Sequence, residues 1–305
     1  MSLMAMIKGT KGASGFGFAS TAEDVTQGID LTGKTILITG VNSGLGQESA
    51  RVLAARGAEI IGAARTKEKA AAALDALGGD HMPVACELSE PGSVRAAVDA
   101  IRATGKTLDV MLCNAGIMAL PKLEQSHGYE LQFFTNHVGH FLLVTGLQSQ
   151  LAPDGRVVML SSAAHQGAPK GGIEFDNLSG ETGYSAWRAY GQSKMANLLF
   201  AKGLAKRLNE GQTANSVHPG VIQTNLGRHM AGWMNIAFGT LGSLFTKSVP
   251  QGAATQCYVA TNPQVASVTG TYFADCNVAK PRADGSDDAT AERLWAKTEE
   301  IAASL

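Results

Sequence analysis

Residues 34–56 read KTILITGVNSGLGQESARVLAAR, and this stretch decides the fold. Lys34 to Thr39 is a short apolar run, the pattern of a parallel strand buried on both faces. Gly40 ends it. Gly44 and Gly46 punctuate the turn that follows, and Gln47 to Arg56 has helical character. Strand, glycine turn and helix in that order suit a phosphate site. Glycine lets backbone approach a pyrophosphate, and the helix N-terminus offers N–H groups at the positive end of its dipole. Gly40, Asn42, Ser43, Gly44, Leu45 and Gly46 are therefore candidate cofactor contacts. The spacing is Gly-x-x-x-Gly-x-Gly, not the commoner Gly-x-Gly-x-x-Gly, and a plain strand-to-helix turn would read alike.

The alternation continues outward. Glu59 to Ala64 reads as a second strand and Met82 to Leu88 as a third, with a helix over Pro91 to Thr104. Leu108 begins a fourth strand that leaves through Asn114, Ala115 and Gly116. His127 to Gln150 reads as one long helix carrying Asn136. Arg156 to Ser162 is a fifth strand, Thr213 to Gly220 a sixth with its exit, and Val268 to Ala274 a seventh. A last helix covers Asp288 to Ala303. Short apolar strands alternating with helices predict an α/β fold: a single Rossmann domain, with a doubly wound parallel sheet of about seven strands flanked by helices. Its bounds are residues 29–305. Residues 1–28, rich in Gly, Ser, Thr and Ala, read as a loose N-terminal arm.

A chain of 305 residues that is 45% hydrophobic with 36 glycines suits one large α/β domain. A net charge of −1 with no basic block argues against nucleic acid and against electrostatic membrane docking. Cys86, Cys113, Cys257 and Cys276 are scattered without a C-x-x-C, which suits a reduced cytoplasmic protein better than a disulfide or zinc scaffold. No stretch reads as a signal peptide or a transmembrane segment.

Two further features carry chemistry. Tyr190 and Lys194, in the helical run Tyr190 to Asn209, are four apart and project from one face. A solvated face often shows that pair. It also places an ammonium beside a phenol, where the charge favours phenolate and equips the pair to give or take a proton. At the end of the second strand an NAD site usually carries Asp or Glu for the ribose hydroxyls. Here Ala64 is followed by Arg65, with Lys67 close behind. No carboxylate repels a 2′-phosphate and Arg65 can pair with one, so NADP(H) is expected in preference to NAD(H).

Taken in order, the segment from Thr39 to Gly46, Asn114-Ala115-Gly116, Asn136, Ser161-Ser162, Tyr190-x-x-x-Lys194, and Pro219-Gly220 followed by Thr224 resemble the short-chain dehydrogenase/reductase family over about Leu31 to Ala274. Ser161 to His165, the long stretch before Tyr190, Ser216 to Gly220 and Gln251 to Ala254 resemble its retinol dehydrogenase and WW-domain oxidoreductase branch, without a WW domain. The arm from Phe16 to Lys34 resembles the leader of bacterial members. The resemblance implies a catalytic tetrad of Asn136, Ser162, Tyr190 and Lys194. Ser162 would bond the carbonyl oxygen where charge develops, Tyr190 would exchange the proton, Lys194 would lower the tyrosine pKa and hold the ribose, and Asn136 would anchor a relay water. Alternation along a strand points Ser161 and Ser162 to opposite faces, so one alone can serve. Cofactor contacts are implied at Glu87 and Leu88 near the adenine, at Asn114, Ala115 and Gly116, at Tyr190 and Lys194, and at Pro219, Gly220, Val221 and Thr224. Glu87 replaces the family's usual Asp. The resemblance also implies a homodimer paired through the helices bearing Asn136 and Tyr190.

Some features resist a single reading. The insert over residues 163–189 suits either a wall of the substrate pocket or a packed surface loop. Residues 226–248 are apolar, rich in Met and aromatics, and broken by glycines, which suits a substrate lid for a lipophilic molecule. His137 and His140, three apart, lack the further ligands a metal needs, and no metal is expected. The expected function is NADP(H)-dependent hydride transfer between nicotinamide and a small-molecule alcohol or carbonyl. The alternative is a non-catalytic NADP(H)-binding redox sensor on the same fold.

Overall fold

A computed structural model describes residues 9, 11–222 and 246–305. β1 (Thr35–Thr39) is buried along its whole length, as its apolar run requires. It pairs in parallel with β2 (Glu59–Ala64) on one side and β4 (Leu108–Cys113) on the other. β3 (Met82–Ala85) lies beyond β2, while β5 (Leu151–Leu160), β6 (Thr213–His218) and β7 (Tyr272–Ala274) follow β4, all parallel. The order β3-β2-β1-β4-β5-β6-β7 reverses winding between β1 and β4, where a crevice opens at the strands' carboxyl ends.

The sheet has an eighth strand that the sequence did not suggest. β8 (Asn277–Val278) runs antiparallel to β7. Asp275 and Cys276 make the turn with φ of 50° and 61°. A two-residue edge strand carries too little pattern to be read in advance. β7 is also shorter than the Val268 to Ala274 run, because Gly270, at φ 66°, interrupts extended backbone.

Period-two alternation divides the core. Ile36 and Ile38 face one side of the sheet with Leu53, Val158 and Tyr258, where α1 (Gly44–Ala55) and α6 (Val249–Thr261) lie. Leu37 faces the other with Met111, Val157, Phe141 and Phe200, under α3 (Pro91–Arg102), α4 (Gly139–Leu147) and α5 (Ala186–Ala205). α2 (Lys67–Asp75) joins β2 to β3.

Two sequence expectations need correction. The helix expected from His127 begins only at Leu131, because residues 125–130 form a small hairpin turned by His127 and Gly128 at φ 51° and 81°. It then contains a π turn, Phe134–Val138, with Asn136 inside it, before continuing as α4. The arm is packed over its described residues 11–28: Ala22 and Val25 are buried in a short capped helix, Glu23 pairs with Arg51 and Arg56, and Phe16 meets Tyr258 edge-on. A Ser/Thr-rich composition hid this, since two small apolar residues suffice for one turn.

α7 (Asp288–Ala303) lies against α5 and the π turn. Trp295 stacks on Phe200 and meets Phe141 edge-on, at centroid distances of 5.6 and 5.0 Å, and Arg207 caps the indole at 4.2 Å. Every residue of α5 from Tyr190 to Ala201 is buried within the one chain. Among the described residues no helix is long and apolar enough to cross a membrane.

Candidate active site

Thr39 ends β1, and the chain turns at Gly40 with φ 70° and enters α1 at Gly44 with φ 54°. A side chain at Gly46 would fall against the Gly40 carbonyl and 2.6 Å from Asn114 Nδ2. The first turn of α1 therefore rests directly on the glycine turn. Ser43 caps α1 by position yet makes no side-chain capping bond, which leaves the opening N–H groups of the helix free for an anion. Asn42 and Ser43 are exposed there, whereas Leu45 sends its side chain into the core and offers only backbone. This cradle fits a pyrophosphate.

The cradle is braced from β4. Asn114 and Ala115 both donate backbone N–H groups to Thr39 Oγ1 at 2.9 Å, and Asn114 Nδ2 donates to Thr39 O at 2.9 Å. Arg65 is exposed past β2 and makes no hydrogen bond or ion pair among the described residues. Glu87 accepts from Ser89 Oγ at 2.9 Å, so its carboxylate is held by its own loop. Leu88 is buried, with its carbonyl where a side chain on Gly139 would fall. Across the crevice, Pro219 is buried, Gly220 takes φ 96°, and Val221 is exposed. Thr224 and the lid expected at 226–248, apart from its last three residues, lie outside the described residues.

Cradle and tetrad meet at Gly116. A side chain there would lie 2.9 Å from Asn136 Oδ1 and 3.4 Å from Lys194 Nζ. α5 starts one turn before Tyr190 and carries both Tyr190 and Lys194 on its face toward the sheet. Lys194 Nζ sits 5.7 Å from the Tyr190 ring centroid and donates to Leu160 O at 3.0 Å. The two serines divide as alternation requires. Ser161 Oγ turns inward and donates to Lys194 O at 2.7 Å. Ser162, just past β5, accepts from Ala164 N at 3.2 Å, and its hydroxyl acts on the Tyr190 phenol, favouring the ionised form.

Burial sets the charges here. It pushes the Tyr190 phenol up to about 12, opposed by the Ser162 hydroxyl, and pulls Lys194 down to about 8. The expectation that Lys194 holds the phenol below its free value is not met in this structure. Withdrawing a phenolate from water outweighs an ammonium at that distance. Asn136 is held by its neighbours. Its amide is occupied: Oδ1 accepts from Ile117 N at 2.8 Å, and Nδ2 donates to Ile117 O and Ser193 Oγ at 2.9 Å each. No amide proton of Asn136 is left to hold a relay water.

The insert is a folded buttress. Ala168, Ile173 and Leu178 pack with Phe133, Phe134, Met195 and Leu199. Arg282 clamps it by donating to the carbonyls of Gln166, Ala168 and Pro169. Tyr184 donates to Leu120 O at 2.8 Å. Only near its end does it present an exposed aromatic: Trp187, 46% exposed, stands edge-on to Tyr190 with centroids 6.1 Å apart. His137 Nε2 meets Thr298 Oγ1 at 2.9 Å, and His140 joins Thr39 to the Asn136 carbonyl.

Sequence reasoning missed several supports. Gln256 of α6 donates to Ser49 Oγ at 2.6 Å and to Leu45 O and Asn114 Oδ1 at 3.3 Å each, buckling the cradle from behind. Ser193 joins Asn136 to the Tyr190 carbonyl. A lone Gln on an apolar helix carries no spacing signal. Ser193 lay within the Tyr190–Lys194 pentad and could have been noticed there.

The family model of the short chain dehydrogenases matches residues 34–235. The chain is 42% identical, over 310 aligned positions and 97% of each chain, to the short-chain dehydrogenase TIC 32 A, chloroplastic, of Brassica napus. It is 38% identical to retinol dehydrogenase 11 of Homo sapiens, covering 88% of this chain and 86% of that one. A crystal structure of a short chain dehydrogenase from Burkholderia cenocepacia in complex with NADP superposes with a TM-score of 0.64 at 25% identity, covering 80% of this chain and 96% of that one.

Proposed function

The chain belongs to the short chain dehydrogenase family, in its retinol dehydrogenase-like branch, as an oxidoreductase of CH–OH and C=O groups, and we propose that it is NADP(H)-dependent with Tyr190 as general acid and base. One observation carries the reading: Lys194 Nζ, 5.7 Å from the Tyr190 ring centroid, stands at Gly116 where the glycine cradle meets the tetrad, with the Ser162 hydroxyl acting on the phenol. Bound NADP(H) supplies or accepts the hydride. In the reductive direction Ser162 donates a hydrogen bond to the substrate oxygen as charge develops on it. Tyr190 gives its proton to that oxygen and regains one from solvent. Lys194, still an ammonium below about pH 8, favours the transient phenolate. The open α1 N-terminus, and an Arg65 without an ion-pair partner among the described residues, support a phosphorylated dinucleotide, as does the NADP in the Burkholderia relative.

Trp187 and Val221, both exposed beside the site, support a lipophilic substrate. Four free, buried cysteines support a reducing, cytoplasmic setting. The test is NADPH absorbance with a panel of aldehydes and ketones graded in hydrophobicity. Consumption that depends on the carbonyl and on Tyr190 supports the reading. Tight NADPH binding with no turnover across the panel would favour the redox-sensor alternative.

A further inference from the structure

His140 is fully buried, and both of its ring nitrogens are engaged. Nε2 lies 2.9 Å from Thr39 Oγ1 and Nδ1 lies 2.9 Å from the Asn136 carbonyl oxygen. The neighbours fix where its proton sits. Thr39 Oγ1 already accepts from the N–H groups of Asn114 and Ala115. A hydroxyl oxygen has two acceptor positions and a single proton. With both positions filled, the Thr39 proton must go to His140, and Nε2 must be a bare lone pair. Nδ1 then carries the ring proton and donates it to Asn136.

The charge state follows the same way. A protonated ring would set an N–H against the Thr39 proton, breaking the chain of bonds. Burial pulls the His140 pKa down to about 4, and the nearby Lys194 ammonium pushes in the same direction. His137, the other titratable group facing it, is likewise held neutral by burial. His140 is therefore neutral throughout the working range. It ends an unbroken run from the backbone of Asn114 and Ala115, through Thr39, to the carbonyl of Asn136. The first members form the cofactor cradle. The last lies inside the π turn, where the helix ladder departs from i→i−4, a feature that recurs at functional sites.

We infer that His140 is a positioning residue of this site: its neutral imidazole, as the Nδ1–H tautomer, locks the Asn136 backbone to the Thr39 end of β1 and so holds cradle and tetrad in one register. Asn136 in turn seats Ile117 and, through Ser193, the Tyr190 carbonyl. Loss of the lock should thus reach the reacting phenol while leaving the pyrophosphate cradle in place. The kinetic part of this inference rests on the reductase reading above, while the tautomer does not.

Three measurements on the full chain with bound NADPH decide it. Nitrogen-15 NMR of labelled histidine, with the His140 ring assigned by its loss in His140→Asn, should show that ring protonated at Nδ1, with no titration between pH 8 and 5. His140→Leu should lose about a hundredfold in kcat, as a catalytic group displaced by about 1 Å does. Its NADPH affinity should change much less, and its kcat-pH profile should shift. His140→Asn keeps an N–H able to reach the Asn136 carbonyl, and should recover at least about tenfold of that loss. An Nε2–H tautomer, or titration near pH 6.5, overturns the inference. So does a His140→Leu enzyme within twofold of wild-type kcat, or a His140→Asn enzyme that melts normally yet is no better than His140→Leu. If His140→Leu does not fold, the NMR result and His140→Asn decide. If wild type turns over no carbonyl, the reductase reading fails alone, and the tautomer still stands or falls on the NMR.

Discussion

At the carboxyl end of β1 the chain works with its backbone, whereas at Tyr190 it works with side chains taken out of water. From Gly40 to Gly46 what matters is the absence of side chains: a Cβ at Gly46 would strike the Gly40 carbonyl, and Thr39, Asn114 and Gln256 serve as braces. At the tetrad, Ser162, Tyr190 and Lys194 must be these side chains, and desolvation holds the phenol near 12 and the ammonium near 8. The two regions should therefore fail differently. The cradle is sensitive to added volume and to backbone conformation. The tetrad is sensitive to loss of a proton or charge, even where volume is kept.

The largest effect expected from that contrast is at Tyr190. Tyr190→Phe keeps the ring and its packing, and should cost about a hundred- to ten-thousand-fold in turnover with NADPH affinity near wild type. Lys194→Met should damage both turnover and cofactor affinity. A Tyr190→Phe enzyme retaining a tenth of wild-type turnover on its best substrate would break the assignment. The same pair sets a pH dependence. Lys194 is charged below about pH 8 and neutral above it, so reductive kcat should fall as pH rises through that value. A flat profile from pH 6 to 10 would mean that the ammonium contributes nothing to the step.

Next in size is the rim of the cradle, where charge does matter because solvent reaches it. Arg65→Glu removes a guanidinium and sets a carboxylate before the 2′-phosphate. Hydrogen bonds to charged groups are worth about 1.5–3 kcal/mol, so the ratio of NADPH to NADH affinity should drop by roughly ten- to a hundredfold. An unchanged ratio would place the phosphate elsewhere. Gly44→Val probes the cradle's interior. Gly44 takes φ 54°, and left-handed backbone costs a residue with a side chain about 1–2 kcal/mol. Both the melting temperature and NADPH affinity should fall. Equal melting with equal affinity would show that the turn adapts.

Legibility followed the same division. Glycine spacing and strand-helix alternation are local patterns, and they placed β1, β2, the cradle and α7 closely. The split between Ser161 and Ser162 was also readable, since period two is local. What escaped depends on distant partners. The π turn at Asn136 is not visible in a run of helical residues. Gln256 meets Asn114 across 142 positions of chain, and His140 meets Thr39 across 101. The sign of the Tyr190 shift escaped for a related reason: spacing shows an ammonium four residues away, but not how completely the phenol is buried.

The smallest effect is also the sharpest division between the two kinds of region, because it separates adjacent residues. Ser161 Oγ donates to Lys194 O at 2.7 Å and serves the packing of α5 on β5. Ser162 Oγ, the next hydroxyl along, acts on the Tyr190 phenol. Ser161→Ala removes a single hydrogen bond and leaves a carbonyl within a helix, so it should cost about 1 kcal/mol of stability and leave kcat within a few-fold of wild type. Ser162→Ala should do the reverse: melting close to wild type, with turnover reduced about a hundredfold or more through loss of a donor to the developing oxyanion. Thermal melts and kcat on the same preparations give both axes at once. If the two variants lose turnover equally, period-two alternation has not separated structure from chemistry at this strand end. If Ser161→Ala is the more damaged in kcat while Ser162→Ala is spared, the catalytic serine is the other one.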